Sequence, residues 1–153
     1  MTNKQIAEAL IDCFNNGNKA IICGNGGSMS EASHFSGELV CKMTRDHPPL
    51  SAISLCDPCV ISAIANDFGF DKVFSRQITA LGRKGDILIT LSTSGKSPNI
   101  LKAQEVGKKL GLTVIPFPTN SELDCDTQVT QEVHLNMIHS ISKIVEDYFI
   151  DNN

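Results

Sequence analysis

One α/β domain, a parallel sheet covered by helices on both faces in three αβα layers, is the fold this sequence predicts, and three observations carry it. Short, mostly apolar runs at 19–23, 52–55, 86–91 and 112–115 alternate with stretches of helical periodicity. Those runs are near-continuous rather than alternating, as in strands buried on both faces. Between most runs and the following helical stretches stand turn-forming residues, glycine- and serine-rich at 24–28 and 92–98. Strands that alternate with helices in this way form parallel sheets. The chain has 153 residues, enough for one domain with a real core, and no repeat or linker divides 1–153.

Each element has its own signal. Ile6, Leu10, Cys13 and Phe14 form a helical stripe over 3–15, which Asn16-Gly17-Asn18 ends. After the strand at 19–23 and the turn at 24–28, Met29, Ala32, Phe35, Leu39, Val40 and Met43 recur at helical spacing. Ala52-Ile53-Ser54-Leu55 predicts the second strand. Helical patterns follow at 58–66 and 70–81, broken by Phe68-Gly69. Strand 86–91, helix 98–110 closed by Gly111, and strand 112–115 come next. A long last helix, roughly 129–150, carries Val133, Met137, Ile141, Ile144, Val145 and Phe149. Right-handed crossovers bring all strand-to-helix turns to one sheet edge, beyond which such folds bind ligands. The turns at 24–28 and 92–98 are therefore expected to face one pocket.

Composition narrows the partners. A net charge of −4 without a basic stripe argues against nucleic acid. No apolar run approaches the ~20 residues that span a bilayer, and the N-terminus lacks the apolar centre of a signal peptide. A cytoplasmic protein is the expectation. Of six cysteines, Cys13, Cys23 and Cys41 lie in or beside apolar patterns and read as small buried thiols. Cys56-Asp57-Pro58-Cys59 has the spacing of a redox pair or half a zinc site. No second pair exists, and Asp57 and Pro58 suit the cap and first position of a helix, the reading adopted.

The sharpest chemical signal is Ser92-Thr93-Ser94-Gly95-Lys96-Ser97-Pro98. Hydroxyls and backbone N–H groups converge there at a helix N-terminus, which carries partial positive charge and suits a phosphate. Ser97 fits the N-cap and Pro98 the first helical position. An ordinary capped turn needs one hydroxyl, whereas this loop offers those of Ser92, Thr93, Ser94 and Ser97. The turn Gly24-Asn25-Gly26-Gly27-Ser28 permits close backbone approach but matches neither a Walker loop nor a dinucleotide fingerprint. His34 and Glu38, four apart, share a helix face. They suit one metal ion or an acid–base pair, or else a plain surface ion pair. Asp67, after Asn66, either binds sugar hydroxyls or helps to end a helix. In the last helix His139 lies in the apolar stripe and needs a partner. Gln131 and His139 stand about 12 Å apart in helix rise, too far for one metal ion on a continuous helix. Either Gln131 precedes the regular helix and bends back, or two subunits contribute.

Taken together, Gly24 to Ser28, Glu31 to Leu39, Ala63 to Gly69, Ser92 to Asn99 and Gln131-Glu132-Val133-His134 with His139 resemble the sugar isomerase (SIS) domain family, and within it the phosphoheptose isomerases. The resemblance implies a single SIS domain with a flavodoxin-like parallel sheet. It implies isomerisation of sedoheptulose 7-phosphate to D-glycero-D-manno-heptose 7-phosphate through an enediol, the first step of bacterial heptose synthesis. Carried over residue by residue, Glu38 would be the base and His139 the acid. Asn25, Gly26, Gly27, Ser28, Glu38, Asn66, Asp67, Ser92, Thr93, Ser94, Ser97 and Gln131 would contact the phosphosugar. A zinc ion would be held by His34, Glu38, Gln131 and His139. The family works as a homotetramer with sites between subunits, without nucleic acid or membrane. A related replication-initiation partner uses the same fold only to bind, which makes a non-catalytic sugar-phosphate or protein-binding module the alternative.

Three departures from the family pattern stand out. Only residues 1–19 precede the first strand, where relatives have more helix. Residues 116–130 replace a further helix and strand, so the fold is expected to lack one helix–strand unit after 115, exposing a sheet edge. Lys42 stands where the family tends to have arginine, and a lysine offers a point charge in place of a bidentate fork.

Overall fold

Thr2 opens the first helix of the structure, a computed structural model that describes residues 1–152. Its hydroxyl accepts from Gln5 N at 3.2 Å, and the Gln5 side chain accepts the Thr2 N–H at 2.9 Å, a reciprocal cap. Helix α1 (Asn3–Asn15) leads to strand β1 (Ala20–Gly24) and helix α2 (Gly27–Val40). Strand β2 (Ala52–Ser54), helix α3 (Pro58–Phe68), a 3-10 turn at Phe70–Lys72 and helix α4 (Val73–Leu81) follow. Strand β3 (Ile87–Leu91), helix α5 (Pro98–Lys109), strand β4 (Thr113–Pro116), the one-turn α6 (Asn120–Leu123) and the long α7 (Thr127–Asp151) complete the chain.

All four strands are parallel, in the order β2-β1-β3-β4. Every residue of the central strands β1 and β3 is buried. Their side chains alternate between two cores, which is what makes the fold three layers. Ile22 and Ile89 join the core beneath α1, α2 and α7, with Leu10, Phe35 and Ile138. Ile21 and Leu88 join the opposite core beneath α4 and α5, with Phe74, Ile78 and Ile100.

Between β4 and α7 the described residues hold only a single helical turn and no further strand. That turn is α6, whose reciprocal cap pairs Thr119 with Glu122. The exposed edge of β4 is blunt. Thr113 N and Phe117 N both point inward, to Asp86 O and Thr90 O. By strand alternation the nitrogen of Pro116 faces outward, where it has no N–H to offer another strand. Buried Phe117 then turns the chain under α7.

The thiols need one correction. Cys13 and Cys23 are buried, but Cys41 is exposed because α2 ends at Val40 and the chain turns away. Burial raises the Cys23 thiol to about 12, and burial with the Asp86 charge raises Cys13 to about 11, so neither ionises readily. Asp57 caps α3, accepting from Val60 N at 2.9 Å, with Pro58 in the first turn.

Candidate active site

Helices α2 and α7 lie side by side, and three contacts set their register. A side chain at Gly27 would collide with the amide of Gln131. Glu31 Oε2 stands 3.7 Å from His134 Nδ1. His34 Nε2 stands 3.1 Å from His139 Nε2. Residue numbers rise together along both helices, so the two run in the same direction. The glycine at 27 is what lets the helices approach closely enough for the later pairs to meet.

At the far end of this ladder three groups converge. Glu38 Oε1 lies 3.0 Å from His34 Nε2 and 3.6 Å from His139 Nε2. The three ligand atoms thus form a triangle with edges of 3.0, 3.1 and 3.6 Å. Tetrahedral coordination at ~2.0–2.2 Å spaces ligand atoms by roughly 3.3–3.6 Å, so one edge matches a zinc-sized cation and the other two need open by only about 0.2–0.3 Å. Glu38 Oε2 is buried without a hydrogen-bond partner, a charge that a cation would offset. Gln131 lies about two turns before His139 on the same helix, its amide against Gly27. Helix α7 is continuous from Thr127, so Gln131 does not bend back toward His139.

Gln131 instead lines a second place, a cavity of about 190 Å³ with Asn25, Ser28, Ser92, Thr93, Ser94, Ser97 and Thr127. The cavity joins the N-termini of α2 and α5, whose partial positive charges favour an anion. Gly26, the N-cap of α2, has φ +56°, a conformation that suits glycine. Within the serine loop, Ser92 Oγ accepts from Gly95 N at 3.1 Å and Ser94 Oγ from Lys96 N at 3.2 Å. Ser97 occupies the N-cap of α5, but its hydroxyl makes no capping bond.

Other expected residues fall elsewhere. Asn66 and Asp67 lie exposed near the end of α3, with Asn66 Nδ2 donating to Asp67 Oδ1 at 2.8 Å, and neither lines the cavity. His139 is not buried in the apolar stripe: its side chain keeps 43% exposure. The buried histidine of α7 is His134, fully enclosed, whose Nε2 donates to Pro118 O at 2.7 Å while its ring meets Phe117 edge-on. Positions 134, 138, 141 and 145 form the inward row of α7, and that 4-3-4 spacing was the signal for His134.

Sequence reading also missed Glu31, Asn99, Thr127 and Glu146. Buried Glu146 accepts from Met43 N, Thr44 N and the Thr44 hydroxyl at 3.0, 2.9 and 2.5 Å. Desolvation alone would raise its carboxyl, but these hydrogen bonds outweigh it and hold the group down at about 2. The partners lie on a loop far from Glu146 in sequence, and no local pattern points to them.

A model of the SIS domain family matches residues 3–118. A phosphoheptose isomerase from Shewanella pealeana is 42% identical over 152 residues, 88% of this chain and 77% of that protein. One from Helicobacter pylori is 42% identical over 164 residues, 98% of this chain and 85% of its own length. The solved structure of phosphoheptose isomerase GmhA from Neisseria gonorrhoeae superposes with TM-score 0.85 at 34% identity, covering 95% of this chain and 85% of that one. A phosphoheptose isomerase structure from Francisella tularensis gives 0.86 at the same identity and coverage. With that sequence kinship and the shared parallel sheet, the chain belongs to the SIS-domain family and, within it, to the phosphoheptose isomerases.

Proposed function

We propose that this chain isomerises sedoheptulose 7-phosphate to D-glycero-D-manno-heptose 7-phosphate. The observation that carries the reading is the meeting of Glu38 with His139 at 3.6 Å, on the same pair of helices whose other end borders the serine-lined cavity. Gln131, at the cavity, and His139 are separated by about 12 Å of helix rise. An extended seven-carbon phosphate places its phosphorus roughly 9 Å from C2, taking bonds of ~1.5 Å. A substrate with its phosphate among Ser92, Thr93, Ser94 and Ser97 thus reaches the carboxylate–imidazole pair with its first two carbons. A pentose phosphate is about two bonds too short for the same span.

The chemistry follows from what the two groups can do. Glu38 takes the proton from C1 while His139 gives one to the C2 oxygen, forming the enediol. His139 then takes the proton of the C1 hydroxyl, and Glu38 returns its own to C2, giving the aldose. No atom is gained or lost. The serines and both helix N-termini hold the phosphate and fix the sugar's register, which converts the proton transfers into intramolecular steps. His34, Glu38 and His139 would hold the zinc ion implied by the family, which would polarise the carbonyl; the two roles compete at Glu38 and His139, because a metal-bound atom is not the one that moves the proton. Gln131 contacts substrate in this reading. Asn66 and Asp67, which do not line the cavity of their own copy, would meet sugar in an assembly that brings α3 of another copy to it. Support for that assembly lies in α3, which buries no residue and leaves Val60 and Phe68 at 40% and 44% exposure. A purely binding module has no use for the Glu38–His139 pair.

The test is a panel of ketose phosphates followed in D2O. Sedoheptulose 7-phosphate is expected to give aldose bearing solvent deuterium at C2, with pentose and hexose phosphates slower. Failure of every ketose phosphate to exchange or turn over would leave the binding module as the better account.

A further inference from the structure

Asn25 and Asn99 hold each other by two reciprocal amide bonds that join the glycine turn to the start of α5. Asn25 Nδ2 donates to Asn99 Oδ1 at 2.9 Å, and Asn99 Nδ2 donates to Asn25 Oδ1 at 2.8 Å. Asn99 is 2% exposed and is not among the residues that line the cavity of Ser92, Thr93, Ser94 and Ser97, so it does not meet a ligand there. Its Oδ1 also accepts from Ile100 N at 3.0 Å. A backbone N–H can only donate, so that bond fixes which end of the Asn99 carboxamide is oxygen. The nitrogen end must then donate to Asn25, and Asn25 must offer its oxygen in return. The orientation of Asn25 is therefore imposed by a backbone N–H one residue beyond its partner.

Two consequences reach the cavity. The Asn25 oxygen is occupied by Asn99, and the remaining Asn25 N–H has no protein acceptor among the described residues. Asn25 therefore offers a donor to the space it lines, which suits phosphate or hydroxyl oxygens. The second consequence concerns Ser97. A serine at an N-cap ordinarily spends its hydroxyl on an N–H of the first turn. Here Asn99 and the Ser97 carbonyl both take the Ile100 N–H, and the Ser97 hydroxyl makes no capping bond.

We propose that Asn99 is a positioning residue of the anion cavity: it sets Asn25 as a donor and releases the Ser97 hydroxyl to the ligand, without touching the ligand. This rests on the reading of the cavity as the phosphate site. The experiment is calorimetric titration of the full-length protein with inorganic phosphate, beside steady-state kinetics on sedoheptulose 7-phosphate. Asn99→Ala is expected to weaken phosphate about tenfold and to raise KM by a similar factor, with a much smaller change in kcat. In an Asn25→Ala/Ser97→Ala background the same substitution should add nothing further, because the residues through which it acts are gone. Lost packing alone would lower the active fraction without moving KM, and would add equally in both backgrounds. Wild-type protein that binds no phosphate overturns the phosphate site, and this inference with it. Wild-type binding that Asn99→Ala leaves unchanged overturns the inference alone. Should Asn99→Ala not fold, side-chain amide NMR of the wild type decides. Phosphate should shift the Asn25 amide and leave the Asn99 amide largely in place, and an unmoved Asn25 signal refutes the proposal.

Discussion

Glu38 keeps one carboxylate oxygen between two imidazoles, while the other is sealed from solvent with no partner. A carboxylate so placed is poorly stabilised by the chain alone, and the arrangement is tolerable only if it serves chemistry or a cation. Glu38→Gln keeps the size and removes the charge. It is expected to cut kcat by about 10²–10⁴ while the thermal midpoint stays level or rises. His139→Ala should lower kcat comparably with the circular dichroism spectrum unchanged, since its side chain is almost half exposed. Turnover within a few-fold of wild type in either variant would remove these two residues from the mechanism. His134 makes a different kind of contribution: enclosed between Pro118 O, Phe117 and Glu31, it fixes α7 against α2.

Among the elements, α7 ties most of the molecule together. Its first turns line the anion cavity, its middle brings His139 to Glu38, and its last turns hold the loop after α2 through Glu146. Glu146 makes that last link depend on pH. Its carboxyl sits at about 2 in the folded chain, against an ordinary 4.5. A depressed carboxyl contributes its full stability above the unfolded value and loses it as pH falls through the folded one. Urea midpoints should therefore fall between about pH 4.5 and 2, and Glu146→Gln should flatten that slope. At pH 7 the same variant should cost about 1–3 kcal/mol, because a charged acceptor with three close donors becomes a neutral amide. An unchanged slope would mean that the loop does not depend on this carboxylate.

At the scale of the whole molecule, the chain leaves apolar surface open on the side of α3, where Ile53, Val60, Phe68 and Phe70 are all at least 40% exposed. Light scattering on the full-length protein is expected to give a mass several times 16.5 kDa, and Val60→Lys should lower it. A monomer at micromolar concentration would refute the proposed assembly and leave Asn66 and Asp67 without a role. No described helix is long and apolar enough to cross a membrane.

What the residues announced locally was largely legible. Continuous apolar runs placed β1 and β3 within a residue or two, since strands buried on both faces admit little else, and the run at 112–115 placed the edge strand β4 as closely. The serine loop and the His34–Glu38 spacing were visible because their chemistry lies within a few consecutive positions. The burial of His134 rather than His139 was legible only in the spacing of the inward row at 134, 138, 141 and 145, a signal that reading each histidine by its immediate apolar neighbours overlooks. Asn99, Glu31 and Glu146 act through partners 74, 103 and 102 residues away. Sequence by itself thus determined the layers, the order of the elements and which residues carry groups suited to phosphate or to proton transfer. The tertiary structure alone decided which of them meet, because the register of α2 against α7 is set by close packing at Gly27 and by buried polar pairs distant along the chain.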